Sequence, residues 1–279
     1  MTPPRAAVVG SCNVDVVVSV ERLPGRGETV LGGDPVRRPG GKGANQALAA
    51  RRWGSPTHLI ASVGEDADGS WLLSNLSAHG VEVGLCQRST RPTGVAYITV
   101  EDEGENLIVV APGANNDVRV PPDLDVDLVL CQLEIAVEPV LELLEREIPV
   151  VLNASPAGRA SLDLLGRCSV VVVNEHEAST LDLATLEHCV VTRGRRGAAL
   201  FHSGREVASV PAPPVQAVDT VGAGDVFCAA YALEWARGVD PVDALRRAVY
   251  AGAYATTQPG AQGALPTREE VVSWIDADS

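Results

Sequence analysis

A chain of 279 residues that is 46% hydrophobic has ample apolar material for a core, as one large domain or two small ones. Its formal net charge of -14 argues against nucleic acid and anionic membranes as main partners. Six cysteines, mostly within apolar runs and without a Cys-x-x-Cys pair, suggest reduced core thiols in a cytoplasmic protein rather than disulfides or a zinc site. No signal-peptide pattern and no membrane-length apolar run is present.

Residues 6–10 are a short apolar run, expected as a buried strand, that ends at Gly10-Ser11-Cys12-Asn13-Val14-Asp15. In an open α/β sheet, ligands collect where strands end. Asn13 and Asp15 alternate, so an extended backbone puts both on one face, an amide and a carboxylate suited to sugar hydroxyls. An Asx turn is the plain alternative. Residues 22–38, with short alternating pieces such as 28–32, read as strands that leave the main sheet. Residues 94–100 and 106–110, flanking an acidic 101–105, read as a hairpin of the same kind.

Residues 40–52 open with glycines and continue as a helix. Gly40 and Gly41 permit close approach of backbone to ligand. Lys42 looks like a P-loop lysine, but Gly43 follows it and the full P-loop pattern is absent. Asn45 is either a ligand contact or a buried amide satisfying backbone. A strand at 57–63, a turn at 64–69 and a helix at 70–79 follow, with Asp66 and Asp68 as capping residues rather than a calcium loop. A strand at 127–131 leads to Glu134 at its end; then come a helix at 139–146 and a strand at 150–153.

A strand at 169–173 ends in Asn174-Glu175-His176-Glu177, where Glu177 reads equally as a first-turn helix charge. Only residues 178–188 separate this from the next strand, 189–192. Thr192-Arg193-Gly194-Arg195-Arg196-Gly197 has glycines able to approach phosphates; a hairpin turn with solvated charges is its plain reading. Residues 198–201 and 206–210 form a second hairpin. Strands and helices alternating without a repeat imply parallel βαβ crossovers and one doubly wound α/β core.

In residues 218–227 a glycine-rich turn runs into an alanine-rich helix, 227–235. Glycines 222 and 224 admit a ligand to the backbone, and unpaired helical N–H groups with the helix dipole make an anion site. Asp225 at this mouth, a carboxylate among N–H donors, stays ionised and can take a hydroxyl proton as a phosphoryl group arrives. Its plain alternative is a helix N-cap. Residues 240–257 read as helix, 258–264 as loop, and a last helix starts at 266.

Gly40-Gly41-Lys42-Gly43-Ala44-Asn45-Gln46-Ala47 and the 218–227 stretch, in this order and separation, resemble the paired signatures of the ribokinase-like (PfkB-type) carbohydrate kinases. The resemblance covers nearly the whole chain. It implies a single α/β domain over 1–279, a doubly wound, mostly parallel sheet with helices on both faces, and a small β-sheet lid formed by about 15–39 and 93–111. It implies an ATP-dependent sugar kinase, with Asp225 as general base and Gly222, Ala223 and Gly224 holding the transferring phosphoryl group. Asn13, Asp15, Gly41, Lys42, Asn45 and Glu134 fall at sugar-binding positions. Asn174, Thr192, Gly194, Gly197 and Gly224 fall at nucleotide positions, and Glu177 at a Mg²⁺ position acting through water. Asp219, Val221, Ala255, Gln258, Gly260 and Ala264 match a monovalent-cation (K⁺) site, although Ala264 lacks a hydroxyl found in some relatives. A homodimer through the lid is implied, and 178–188 is shorter than usual, with less cover for the sheet. Gly40 to Asn45, Gly104-Glu105-Asn106 and Pro112-Gly113-Ala114-Asn115 favour the 5-hydroxyl of D-ribose as acceptor. Another pentose, a hexose or a nucleoside is the enzymatic alternative, and a catalytically weak sugar-binding or regulatory protein the alternative of a different class.

Overall fold

Val-rich strands that are apolar on both faces need helices on both sides of their sheet. The computed structural model describes residues 2–101, 105–156, 158–159 and 161–278. Its first half runs β1 (Ala6–Val9), β2 (Asn13–Val20), β3 (Val36–Gly40), α1 (Lys42–Arg52), β4 (Thr57–Ile60), β5 (Ser62–Gly64), α2 (Ala67–Ala78), β6 (Gln87–Ser89), β7 (Gly94–Glu101) and β8 (Asn106–Ala111). Then come β9 (Leu128–Gln132), α3 (Glu138–Leu144), β10 (Val150–Asn153), α4 (Leu162–Gly166), β11 (Val170–Asn174), α5 (Glu175–Ala178) and β12 (His188–Thr192). The chain closes with β13 (Ala198–His202), β14 (Arg205–Val210), α6 (Ala223–Ala236), α7 (Pro241–Ala255) and α8 (Arg268–Asp278).

The main sheet has eight strands in the order β14-β13-β12-β11-β10-β9-β1-β4. Pairing is parallel from β4 to β12 and antiparallel through β13 and β14. Alternate residues face opposite cores, as the two-residue period of a strand requires. Ala6, Val8, Leu128 and Leu130 pack with α1, α2, α6, α7 and α8; Ala7, Val9, Val129 and Cys131 pack with α3 and α4. The expected doubly wound α/β fold is therefore present, with a separate four-stranded sheet, β3-β2-β7-β8. From β1 the chain winds through α1 to β4 on one side, while β9 and its successors add on the other. The order reverses there, which leaves a crevice beyond the carboxyl ends of β1 and β9.

Several boundaries differ from expectation for local reasons. The expected 57–63 strand is two strands in different sheets, since β5 leaves the main sheet to pair with β6. Helix α2 starts at Ala67 because the Asp66 carboxylate caps it, accepting from Gly69 N at 2.8 Å. Residues 28–32 contain no strand, only a bridge from Gly32 to Val20; the sheet is extended instead by β2. Helix α6 starts at Ala223, earlier than expected, because Gly222 takes φ 80° as its N-cap; Asp225 sits inside the first turn and is not the cap. Residues 102–104, with the Gly104 used for the ribose reading, lie outside the described residues. The short 178–188 segment does not uncover the sheet: Leu186 is buried, and Leu181 and Leu183 pack against the second core. All six cysteines are free, and among the described residues no helix is long and apolar enough to cross a membrane.

Candidate active site

The crevice is built where α1 begins. Gly41 takes φ 90°, and a Cβ there would press on Asn13 N and Ser11 O, so only glycine lets α1 start this close to the β1–β2 turn. Glu134 lies at the same helix N-terminus. Its Oε2 accepts from Ser11 Oγ at 2.5 Å and from Lys42 N at 3.1 Å, where the dipole favours negative charge. Asn13 is buried and its Oδ1 accepts from Asn115 Nδ2 at 2.7 Å, while Asn115 Oδ1 accepts from Cys12 N at 2.9 Å. Asp15 lies opposite Arg38 in the β2–β3 ladder, and its carboxylate covers Gly40 so closely that a Cβ would overlap it. Burial, with the Glu134 and Asp225 carboxylates nearby, pushes Asp15 up to about 7 against the opposing Arg38.

Asp225 is buried in the first turn of α6. Its oxygens accept from Asn45 Nδ2 and Gln46 Nε2, both at 3.0 Å. The expected ring of backbone N–H donors around this carboxylate is therefore replaced by side-chain amides from α1. Burial raises its pKa above the ordinary carboxylate range, opposed by the Lys42 ammonium and these two amides. The expected readily ionised carboxylate is thus corrected to one whose protonated form is favoured by burial, because desolvation outweighs the donors. For Lys42, burial works against the charge, but the carboxylates of Asp225, Glu134 and Glu177 more than offset it and hold the ammonium above its usual range.

A cavity of about 210 Å³ opens beside this pair, lined by Lys42, Asn174, Glu177, Thr192, Thr220, Gly222, Gly224 and Asp225. Asn174 and Glu177 form a reciprocal cap: Asn174 Oδ1 accepts from Glu177 N at 2.8 Å and Glu177 Oε2 accepts from Asn174 N at 2.9 Å. This is the first-turn role, and it also holds the Glu177 carboxylate at the cavity wall. Gly194 and Gly197 do not line the cavity. Gly197 has φ 87° and no room for a Cβ against Val210 O, and Arg193 and Arg196 pair with Glu206 and Glu175, so this stretch is a tight turn in which two of the three arginines are paired.

Among the described residues no cluster of three or more His, Cys, Asp or Glu side chains is arranged to hold a metal. The Glu177 carboxylate at the cavity wall fits Mg²⁺, which keeps several waters and binds through substrate phosphates. Asp219 Oδ1 accepts from Val221 N at 2.9 Å and its Oδ2 from Gly260 N at 2.8 Å, while Thr256 O accepts from Val218 N at 2.7 Å. The two loops of the expected cation site are thus tied together.

A family model described as pfkB family carbohydrate kinase matches residues 4–137 and 129–268. The chain belongs to this family. It is 40% identical over 285 residues to ribokinase of Bacillus subtilis (strain 168), covering 95% of this chain and 97% of that one. Ribokinase of Thermotoga maritima superposes with a TM-score of 0.87 at 29% identity, covering 98% of this chain and 99% of that one. Arabidopsis thaliana ribokinase complexed with ribose and ATP superposes with a TM-score of 0.83 at 29% identity, covering 97% and 98%.

In this pfkB-family kinase, sequence reasoning missed Ser11, Arg38, Gln46, Thr220 and Gln262. Gln46 had a signal, for it follows Asn45 in the same motif. Arg38, whose Nη1 lies 3.9 Å from Asp219 Oδ2, had none, because the pairing joins the small sheet to a distant loop.

Proposed function

We propose that this kinase transfers the γ-phosphoryl group of ATP to the 5-hydroxyl of D-ribose, with Asp225 as general base. One observation carries the reading: the buried Asp225 carboxylate lies where the β1–β2 and Glu134 side of the crevice meets the glycine-lined cavity at the start of α6. Asn13, Asp15, Gly41, Lys42, Asn45 and Glu134 orient the sugar. Asp225 takes the hydroxyl proton, the oxygen forms a bond to the γ-phosphorus, and the bond to ADP breaks. Burial holds the Asp225 pKa above the ordinary carboxylate range, which strengthens it as a base. The amides of Gly222 and Gly224 with Lys42 stabilise charge on the transferring group, Ala223 N being engaged by Thr220 O at 3.3 Å; such transfer needs positioning and electrostatics more than covalent chemistry. Asn174, Thr192 and Gly224, which line the cavity, serve the nucleotide. Glu177 would hold Mg²⁺ through water, which would supply neutralisation of phosphate charge, and the Asp219 loops would hold K⁺. The sheet β3-β2-β7-β8 serves as lid and as the contact of a cytoplasmic homodimer.

The test is ADP release with Mg-ATP and K⁺ across ribose, deoxyribose, fructose and nucleosides. Turnover is expected with ribose, and Asp225→Asn is expected to lower kcat by about 10³-fold with ribose binding retained. Unchanged turnover in that variant would remove the base.

A further inference from the structure

Asp225 stands at the junction of two chains of amides. On one side, Gln46 Nε2 donates to Asp225 Oδ1 at 3.0 Å and Gln132 Nε2 donates to Gln46 Oε1 at 2.6 Å. On the other, Asn45 Nδ2 donates to Asp225 Oδ2 at 3.0 Å, Gln262 Nε2 to Asn45 Oδ1 at 3.0 Å, and Asn75 Nδ2 to Gln262 Oε1 at 3.2 Å. An ionised carboxylate only accepts, so Asn45 and Gln46 must turn their NH₂ groups to it. That choice propagates outward: the Gln46, Asn45 and Gln262 carbonyls each accept from the next amide's NH₂, and the first chain ends at Gln132 Oε1, which is buried without a hydrogen-bond partner among the described residues. The whole array has one sense, with donors pointing at Asp225 from both sides.

The array is built into the fold. Asn45, Gln46 and Gln132 are buried, and Gly10 has no room for a Cβ beside Gln132 Oε1. Gln262 lies on the loop that Gly260 N anchors to Asp219 at 2.8 Å. Hydrogen bonds arranged in series polarise one another.

We propose that Gln46, Gln132, Gln262 and Asn75 are positioning residues for the catalytic carboxylate. They hold both Asp225 oxygens in register and leave each a free lone pair for the sugar hydroxyl. They also favour the ionised form against burial. Asn45, engaged at both ends of its amide, belongs to the same array. This inference rests on Asp225 being the base.

The test is the single-turnover rate of ribose phosphorylation by Mg-ATP, with both KM values and the pH profile. It uses Gln46→Leu, Gln132→Leu, their double variant and Gln262→Leu. Gln46→Leu is expected to lower the rate by about 10–100-fold with both KM values changed less than about threefold. The acid limb moves to higher pH, because an amide that lowers the Asp225 pKa is gone. Asp15, Lys42, Glu134, Glu177 and Cys228, the titratable groups that act on or with Asp225, stay in place. The double variant should be no slower than Gln46→Leu, since Gln132 acts through Gln46. Should Gln46→Leu fail to fold, Gln262→Leu on the surface loop must show the same loss of rate and the same shift. A normal rate and acid limb in the folded variants, or additive losses in the double variant, overturns the relay. An inactive Asp225→Asn beside a normal Gln46→Leu defeats the relay alone; an active Asp225→Asn defeats the base and the relay together.

Discussion

Asp15 faces carboxylates where the sugar is expected, and its titration makes the cost measurable. Its folded pKa, about 7, lies above the unfolded value of 3.8. The folded state therefore favours the protonated form. The penalty is absent below the unfolded pKa, grows as pH rises, and is complete above the folded one. Asp15→Asn, which keeps shape without charge, is expected to stabilise the ligand-free protein at pH 8 by on the order of 2 kcal/mol at this partly solvated site. Thermal melts of both proteins at pH 4 should coincide; a gain there as large as at pH 8 would mean the effect is not titration. The same carboxylate is free to accept from sugar hydroxyls once ionised, so a site tuned for substrate is strained without it.

Two helix starts carry the nucleotide side. Helix α6 begins on a left-handed glycine at 222, and Gly222 and Gly224 line the cavity, while Ala223 N donates to Thr220 O at 3.3 Å and Asp225 N to Gly222 O at 2.9 Å. Helix α5 is only four residues long and depends on the Asn174–Glu177 reciprocal cap. Asn174→Ala removes one half of that cap, at a cost of about 1 kcal/mol. Because Glu177 is then released from the cavity wall, KM for Mg-ATP should rise by several-fold and KM for ribose should hold. Equal rises in both would assign Asn174 to general stability.

Across the molecule, the four-stranded sheet leaves an apolar edge in water. Leu107, Ile108, Val109 and Val110 of β8 are 50%, 52%, 66% and 40% exposed, beside Tyr97 of β7 at 54%. A flat apolar edge strand invites pairing with another chain, and a patch of this kind marks an interaction surface. A second copy covering it is expected, and Val109→Glu should shift sedimentation equilibrium from dimer to monomer. A wild-type protein that sediments as a monomer at micromolar concentration would leave the sheet as a lid only.

The main strands, α1 and the glycine loops were legible in the chain because they depend on local signals: two-residue alternation, apolar runs and glycine at ligand turns. Family resemblance then named Asn13, Asp15, Asn45, Glu134, Glu177 and Asp225. What local pattern does not contain is partnership. Asn45 reads as sugar contact or buried amide until Asp225 and Gln262 are brought to its two ends. Gly10 reads as a strand terminus until Gln132 fills the space of its missing side chain. The split of 57–63 between two sheets, the meeting of Arg38 with Asp219, and the placing of the Asp225 carboxylate inside the first turn and against α1 were decided by tertiary packing. Burial and long-range hydrogen bonding set those properties, and both exist only once distant segments have closed around the crevice.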